Sequence, residues 1–335
     1  MGIKAPLDLD AIYRPIEAEM ERLDEFLRGE FQATEPFLHE ILDHVAGFGG
    51  KRLRPALLFL CARLVGGEVD EESVRIGGVI EMVHTATLVH DDLLDGAAMR
   101  RRMDTVHERW GERPSILIGD FIYSRAFQLS TSVPGMAEAL SEATNKICAG
   151  ELLQIGSRFK SDLSEEAYFE IIEKKTAVLH SLACELGGVF SGLDAARSRA
   201  LGGVGMDLGM AFQVVDDCLD YAGEENVVGK SLGTDLRQGK LTLPLIYLRD
   251  SLDEADSRWL QTALSAPMEE AVETRIHEMV RNGGVLVRSF ERAQAFVQSA
   301  RDTLDEICAL DDVDVCDPVR QSLELAAEFV ISREL

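Results

Sequence analysis

Residues 84–95 read HTATLVHDDLLD, and they close an apolar segment that keeps the helical period from Val74 to Leu94. Because residues i and i+4 share one face of a helix, Asp91 and Asp95 are expected to point the same way. The same Asp-Asp-x-x-Asp spacing recurs at residues 216–220, again inside an apolar stretch of helical period. The two stretches predict a pair of helices, each with clustered carboxylates beside a buried core.

Such clusters need a counter-charge. Carboxylates on the buried side of a helix repel each other and are costly to desolvate. A hard divalent cation offsets both effects, and Mg²⁺ typically binds one or two carboxylates together with substrate phosphates. A single acidic cluster is more often a solvated charged face. Two clusters of identical spacing in apolar surroundings instead predict a site for metal and diphosphate between two helices.

The helical period continues along most of the chain. A first amphipathic stripe is formed by Ile12, Ile16, Met20, Leu23 and Leu27. Further helices are predicted over residues 115–130, 136–159, 164–186 and 195–221, separated by glycine and proline breaks. Strand-like alternation between hairpin turns is absent, and no linker divides the chain. We therefore expect an all-α fold, a large single-domain helical bundle over residues 1–335 around a deep central cavity.

Composition excludes several classes of protein. The chain has 335 residues and a formal net charge of −25, which argues against nonspecific binding to nucleic acid or to an anionic membrane. Its six cysteines form no Cys-x-x-Cys pair, which favours a reducing compartment. The N-terminal residues lack a signal-peptide core, and no apolar run reaches about 18 residues. The expectation is a soluble cytoplasmic protein without a transmembrane segment.

An acidic protein that binds an anionic substrate needs local cations. Residues 49–55 read GGKRLRP, where glycines permit close backbone approach and arginine matches phosphate oxygens. The alternative, a basic helix N-terminus, is disfavoured because cations oppose the helix dipole there. The Arg100-Arg101-Arg102 triplet either binds phosphate or compensates the nearby aspartates. Residues 229–240 resemble a charged loop over a site, whereas a lone His84 is by itself more often a core residue.

Together these segments resemble the trans-isoprenyl (polyprenyl) diphosphate synthases, and most closely the long-chain members that make octaprenyl or heptaprenyl diphosphate. The motifs occur in the family's order: GGKRLRP (49–55), HTATLVHDDLLD (84–95) followed by an arginine pair, KKTA (174–177), FQVVDDCLD (212–220) and GKSLGTDLRQGKLTLP (229–244). The resemblance covers nearly the whole chain. It implies the all-α isoprenoid synthase fold and a prenyltransferase that adds isopentenyl diphosphate head-to-tail to an allylic diphosphate.

The resemblance also implies roles for individual residues. The metal ligands for Mg²⁺, three ions per site, are placed at Asp91, Asp95 and Asp216. The catalytic carboxylates as a whole are Asp91, Asp92, Asp95, Asp216, Asp217 and Asp220. Isopentenyl diphosphate is assigned to Lys51, Arg54, His84 and Arg101. The allylic diphosphate is assigned to Arg100, Lys175, Thr176, Gln213, Lys230 and Lys240. A homodimer is implied as well.

The chain departs from the family at Arg102, where many members have glycine after the arginine pair. Product length is expected to depend on Ala86 and Thr87, because short-chain members commonly have an aromatic floor one helical turn before the first aspartate. Both residues are small here, and Val83 and Ile80 in the next turn are not large enough to block a growing product chain. These residues favour a medium-to-long product of C30 or above. Alternatively, a side chain of another helix, such as Phe121, Phe127 or Leu153, closes the tunnel and limits product length.

Three alternatives remain at this point. A geranylgeranyl or farnesyl diphosphate synthase would have its floor elsewhere. A class I terpene cyclase would use similar metal chemistry without needing the pocket of Lys51 and Arg54. A regulatory subunit of a heteromeric synthase would be a non-enzymatic helical partner, but such subunits typically have degraded aspartate motifs, and both motifs are intact here.

Overall fold

Helices account for about four fifths of the described residues. The computed structural model describes residues 9–222, 233–264, 268–310 and 314–332. The first helices are α1 (Leu9–Tyr13), a 3₁₀ turn (Arg14–Ile16), α2 (Glu17–Glu30), α3 (Pro36–Gly47), α4 (Leu53–Arg63), α5 (Glu71–Leu94), α6 (Val106–Trp110), α7 (Glu112–Ser130) and α8 (Met136–Ser157). They are followed by α9 (Glu165–Ile172), a π-helical turn (Glu173–Ala177), α10 (Val178–Phe190), α11 (Ala195–Ala222), α12 (Thr234–Arg237), α13 (Leu243–Ser251), α14 (Glu254–Leu264), α15 (Glu270–Asn282), α16 (Val285–Cys308) and α17 (Asp317–Ser332). The all-α prediction is confirmed.

The expectation that hairpins are absent is wrong at one place. Strands β1 (Met99–Arg100) and β2 (Met103–Asp104) pair antiparallel. Arg101 and Arg102 between them have φ values of 49° and 68°. Two consecutive residues with positive φ are typical of the two-residue hairpin turn that matches strand twist. Strands of two residues are too short to produce an alternating pattern, so the hairpin could not be predicted from the sequence.

One predicted helix is divided in the structure. The expected helix over residues 164–186 consists of α9, the π-helical turn and α10. Ser164 begins α9 by accepting a hydrogen bond from the backbone N–H of Ala167 at 3.2 Å. The π-helical turn Glu173–Ala177 contains the Lys-Lys-Thr-Ala motif. A π turn inserts a residue into a continuous helix, so the apolar period hardly reveals it, and such turns are frequent at functional sites.

The core lies between the long helices. Helix α10 packs along α11 and α4, and α5 packs against α7, α4 and α2. Ile76, Val79 and Val83 of α5 and Val214 and Val215 of α11 are almost completely buried. The two acidic motifs therefore occupy the C-terminal ends of two core helices. None of the helices in the described parts of the chain is long and apolar enough to cross a membrane.

Candidate active site

The first acidic motif lies at the end of α5 and divides into two environments. Asp92 is only 2% exposed. Arg100 donates hydrogen bonds from Nε and Nη2 to its carboxylate oxygens at 2.6–2.9 Å. Asp91 and Asp95 are half-buried and lie about 40° apart around the helix axis, because four residues separate them. Burial raises the pKa of Asp91 to about 6, Lys175 opposes the rise, and Glu151 and Asp95 add to it. Asp92 is thus an internal support for Arg100, while Asp91 and Asp95 face the cleft.

The second motif, near the end of α11, shows the same division. Asp217 accepts hydrogen bonds from Tyr168 Oη at 2.6 Å and from Gln213 Nε2 at 2.7 Å. Burial and the charge of Asp235 raise its pKa to about 8. Asp220 is 1% exposed and accepts a bond from the Asp235 backbone N–H at 3.2 Å. Asp216, by contrast, is half-buried, so it is the carboxylate of this motif that is most open to a ligand.

Lys240 joins the two motifs. Its ammonium lies 2.9 Å from Asp95 Oδ2 and 3.6 Å from Asp235 Oδ1, and the residue is only 8% exposed. Gln238 donates from Nε2 to the backbone carbonyl of Asp95 at 2.9 Å. Since the Asp235 N–H binds Asp220, one short segment connects the end of α5 to the end of α11. The contacts of this segment therefore link the two acidic motifs, between which the sequence predicted a site.

The π-helical turn supplies a second lysine. Lys175 Nζ donates to Gln154 Oε1 at 2.8 Å and pairs with Glu151. Burial lowers the pKa of Lys175, but the charges of Asp91 and Glu151 outweigh burial and raise it overall. Gly150 allows this arrangement, because a methyl group there would lie 2.7 Å from the Lys175 backbone nitrogen. The close contact of α8 with the π-helical turn holds a protonated lysine beside Asp91.

Thr176 and Gln213 form a relay beside these groups. Thr176 Oγ1 donates to Gln213 Oε1 at 2.8 Å, and Gln213 Nε2 donates onward to Asp217. Because donors and acceptors alternate along this chain, each side chain has a fixed orientation. The Thr176–Gln213–Asp217 relay links the π-helical turn to the second acidic motif.

A second group of cations lies near Glu81 and His84 of α5. Arg54 is half-buried, but its Nε is buried and has no hydrogen-bond partner in the described structure. Burial lowers its pKa to about 10, although the charge of Glu81 opposes the change. Glu81, which is 4% exposed, accepts from Arg52 Nη1 at 2.7 Å. A buried guanidinium with an unused donor is suited to an anionic ligand.

The hairpin tip lies beside this group of cations. Arg101 Nη1 donates to the carbonyl of Phe48 at 2.8 Å and also bonds that of Gly49. A methyl group at Gly50 would lie 2.7 Å from that guanidinium nitrogen. The paired glycines of the GGKRLRP motif thus permit the contact between loop and hairpin. Lys51 lies in the same loop, with its ammonium 4.6 Å from the ring centre of Phe329.

The structure also places the remaining predicted residues. Burial, with the charge of Arg54 adding to it, holds the pKa of His84 well below its ordinary value, so His84 is neutral near pH 7. Lys230 lies outside the described residues. Thr87 is half-buried and donates from Oγ1 to the His84 carbonyl at 2.8 Å. Ala86 has no exposed surface and is turned about 140° from Asp91 around the helix axis. Thr87 therefore shares the face of Asp91 more closely than Ala86 does.

Several contributing residues were missed from sequence. Each forms a hydrogen bond or an ion pair within the predicted site. They are Arg52, Glu81, Glu151, Gln154, Arg158, Tyr168, Asp235 and Gln238. Glu151 and Gln154 lie three residues apart on α8, which is a weak signal for a shared polar face. The others carry no local pattern, because only tertiary contacts bring them to the cleft.

The available donors fit Mg²⁺. Hard carboxylate oxygens are its preferred protein ligands, and Asp91, Asp95 and Asp216 are the half-buried aspartates of the two motifs. Across the described ranges, no three acidic, imidazole or thiol groups form a closed ligand set. Such a site suits an ion that takes part of its coordination from a bound diphosphate.

The sequence matches the family model described as Polyprenyl synthetase over residues 35–281. The octaprenyl diphosphate synthase of Escherichia coli (strain K12) is 36% identical over 260 residues, which cover 77% of this chain and 80% of that protein. A short chain isoprenyl diphosphate synthase of Methanothermobacter thermautotrophicus is 32% identical, covering 94% of this chain and 96% of that protein. Relatives with long products favour a medium-to-long chain over the short-chain alternative.

Solved structures agree with the sequence comparison. A polyprenyl synthase from Caulobacter crescentus CB15, complexed with calcium and isoprenyl diphosphate, superimposes with a TM-score of 0.89 at 34% identity. The match covers 98% of this chain and 99% of that one. A decaprenyl diphosphate synthase from Rhodobacter capsulatus gives a TM-score of 0.87 at 33% identity, over 97% and 99% of the two chains.

Proposed function

The chain belongs to the polyprenyl synthetase family and is a prenyltransferase, and from that premise we propose an Mg²⁺-dependent all-trans polyprenyl diphosphate synthase. Its substrates are isopentenyl diphosphate and an allylic diphosphate, and its product is C30 or longer. The observation that carries the proposal is the segment from Asp235 to Lys240: Lys240 pairs with Asp95 of the first motif, and the Asp235 N–H donates to Asp220 of the second. A single catalytic domain is part of the same proposal.

The cationic residues of the site form two groups, one for each substrate diphosphate. Lys175 and Lys240 lie beside Asp91 and Asp95, where they neutralise the diphosphate of the allylic substrate. Arg54, Lys51, Arg101 and neutral His84 line the second pocket, which suits isopentenyl diphosphate. Polyprenyl synthases are Mg²⁺-dependent in general. We assign three ions to Asp91, Asp95, Asp216 and the substrate oxygens; when bound, Mg²⁺ stabilises the negative charge that develops on the leaving diphosphate.

The reaction then needs no protein nucleophile. The C1–O bond of the allylic substrate breaks, the alkene of isopentenyl diphosphate attacks the resulting allylic cation, and a proton is lost to the departing diphosphate. Apolar side chains from α5, α10 and α11 exclude water, which would otherwise capture the cation. The fixed cations at both diphosphate pockets hold the two substrates in register for the new carbon–carbon bond.

We also propose a homodimer. Helix α7 exposes Ile116, Leu117 and Phe121 at 46%, 67% and 40%, and α8 exposes Leu152 and Leu153 at 68% and 42%. Large apolar side chains grouped on neighbouring helices are typical of an interface. Phe121 and Leu153 lie at this surface instead of in the packed core, which favours an interface role over the tunnel floor considered from sequence. A reducing, cytoplasmic location remains a prediction, in keeping with six free cysteines.

A product-length assay tests the proposal. The purified protein is incubated with radiolabelled isopentenyl diphosphate, Mg²⁺ and allylic primers of several lengths, and dephosphorylated products are separated on reversed-phase plates. We expect a ladder that ends at C30 or beyond. Termination at C15–C20 would establish the short-chain alternative, and no elongation from any primer would contradict the proposal.

Substitutions of two neighbouring aspartates, Asp91 and Asp92, test the metal assignment. Asp91→Asn removes a cleft carboxylate, so turnover should fall by several orders of magnitude while the melting temperature stays near that of the wild type. Asp92→Asn breaks the buried pair with Arg100 and should lower the free energy of unfolding by about 3 kcal/mol. Near-wild-type turnover of Asp91→Asn at saturating Mg²⁺ would refute the metal assignment.

A further inference from the structure

Arg158, which follows the last residue of α8, is directed at the first acidic motif. Its Nη2 lies 2.8 Å from Asp95 Oδ1, while Lys240 Nζ lies 2.9 Å from Oδ2 of the same carboxylate. The Arg158 side chain is 19% exposed and that of Asp95 is 20% exposed. One carboxylate therefore holds two cations, one from α8 and one from the segment before α13, at the mouth of the cleft.

Part of the Arg158 guanidinium remains unused by the protein. Its Nε is buried and has no hydrogen-bond partner among the described residues. A buried donor without an acceptor is costly, and more so when it carries charge. The guanidinium plane can hold a carboxylate at one edge and a phosphate oxygen at another, since it has five donors in a fixed fork. Nε is the donor that a ligand oxygen would satisfy.

The backbone around Arg158 is strained in a way that fixes this position. Phe159 has a φ of 61°, which is costly for a residue with a large side chain. Its N–H donates to the Gly239 carbonyl at 2.8 Å, and a methyl group at Gly239 would lie 2.5 Å from the Phe159 ring. Gly239 lies between Gln238 and Lys240, which both contact Asp95. Strain of this kind persists where surrounding contacts over-determine a conformation, often at functional sites.

Resting on the proposed function, we propose that Arg158 is a further diphosphate-binding residue of the allylic site. Asp95 orients the guanidinium through Nη2, and Nε donates to an oxygen of the allylic diphosphate. The contact between Phe159 and Gly239 sets the end of α8 and Lys240 at a fixed spacing, so that the two cations approach the same diphosphate. The isopentenyl diphosphate pocket is assigned to Arg54 and Arg101, whereas Arg158 pairs with Asp95.

Binding measurements test this assignment. Calorimetry with Mg²⁺ and a non-reactive thio-analogue of an allylic diphosphate is run on wild type, Arg158→Ala and Arg158→Lys, and repeated with isopentenyl diphosphate. Arg158→Ala should weaken the analogue about ten- to hundredfold, the range for one charge-assisted contact, and leave isopentenyl diphosphate unchanged. Arg158→Lys should recover part of the loss. Lys160→Ala, which removes an exposed cation two residues away, is the matched control and should bind both ligands like the wild type.

The outcomes separate this inference from the proposed function. A wild-type protein that binds no allylic analogue would contradict the proposed function itself. Wild-type binding of the analogue with unchanged affinity in Arg158→Ala would overturn only the role of Arg158. Equal weakening of both ligands would overturn it too, because Arg158 would then be a structural support. If Arg158→Ala does not fold, Arg158→Lys decides, and undiminished affinity in that variant contradicts the assignment.

Discussion

At the residue scale, the role of each aspartate depends on the side chains that contact it. Asp91 and Asp92 are adjacent, yet one faces the cleft and the other is enclosed by Arg100. Asp216 and Asp217 differ in the same way, since Asp217 is held by Tyr168 and Gln213. The Asp-Asp-x-x-Asp spacing therefore combines the proposed metal ligands with a carboxylate that is paired inside the protein. Within each motif, the paired carboxylate helps to fix the helix end that carries the proposed ligands.

The two diphosphate pockets should be separable by mutation. Lys51→Ala and Arg54→Ala each remove a cation from the pocket assigned to isopentenyl diphosphate. We expect each to weaken that substrate by about 1.5–3 kcal/mol and to leave the allylic primer nearly unaffected. Steady-state KM values for both substrates provide the measurement. Equal changes for both substrates would show that the pockets are assigned wrongly.

Arg102 lies in the hairpin turn, where its left-handed backbone conformation would suit glycine. Its φ is 68°, so the hairpin turn forces a left-handed conformation on a residue with a Cβ. Arg102→Gly should raise the free energy of unfolding by about 1 kcal/mol. Arg102→Ala keeps the Cβ and should give no such gain in denaturant unfolding. A gain of similar size in both variants would mean that side-chain charge, not backbone strain, is responsible.

At the element scale, the contact between α8 and the π-helical turn decides where Lys175 lies. The extra residue of the π turn brings the Lys175 backbone nitrogen against Gly150, and Glu151 and Gln154 then reach its ammonium. A regular α-helix through residues 165–190 would rotate Lys175 relative to α10. The short hairpin acts in a similar way, because it carries Arg100 back to Asp92 and Arg101 to the glycine loop.

Two glycines of α8 offer a matched test. Gly150→Ala places a methyl group 2.7 Å from the Lys175 nitrogen, whereas Gly156→Ala meets nothing within 4 Å. Gly156→Ala should be neutral or stabilising by roughly 0.5–1 kcal/mol, because alanine favours helix. Gly150→Ala should be destabilising despite the same propensity gain, and should reduce turnover by displacing Lys175. Thermal unfolding and initial rates provide the comparison, and similar behaviour of the two variants would contradict the close contact.

At the scale of the whole molecule, the cleft exists because several helices end together. The C-terminal ends of α5, α8 and α11 and the segment before α13 all reach Asp95 or Asp220. The tail of a growing product must leave this polar end and pass between apolar helices. Thr87, one turn before Asp91, lies on the face along which such a tail would begin.

Product length should respond to bulk at that turn. Thr87→Phe should shift the product toward C15–C20 while the first condensation persists, since the carboxylates and cations are unchanged. Ala86→Phe should act in the same direction but more weakly, and should destabilise the fold by about 1–3 kcal/mol because Ala86 is completely buried. Reversed-phase separation of the products gives the chain lengths. An unchanged ladder in both variants would place the tail along another helix.

The proposed dimer has its own test. The chain mass is 36.9 kDa, so sedimentation equilibrium at micromolar concentration should give about twice that value. Leu117→Glu introduces a charge into the most exposed part of the apolar patch on α7 and should shift the protein toward monomer. Val287→Glu, which replaces a similarly exposed valine on α16, should not. A wild-type mass near that of one chain would contradict the dimer.

The sequence by itself determined the features that depend on local order. Helical period and glycine breaks predicted most helices, and the repeated acidic spacing identified both clusters, because residues i and i+4 share a face whatever the surroundings. Motif order also identified the family. These signals lie within single helices or loops, so no knowledge of packing was needed.

Only the tertiary structure decided which charges meet. The pairing of Asp92 with Arg100, the bridge from Asp95 through Lys240 to Asp235, and the approach of Arg158 to Asp95 join elements that are distant in sequence. The π-helical turn and the two-residue hairpin likewise leave almost no periodic trace. Whether a carboxylate faces the cleft or the core depends on which helices pack beside it, because burial and partner charges, which fix its hydrogen bonds and pKa, are properties of that packing.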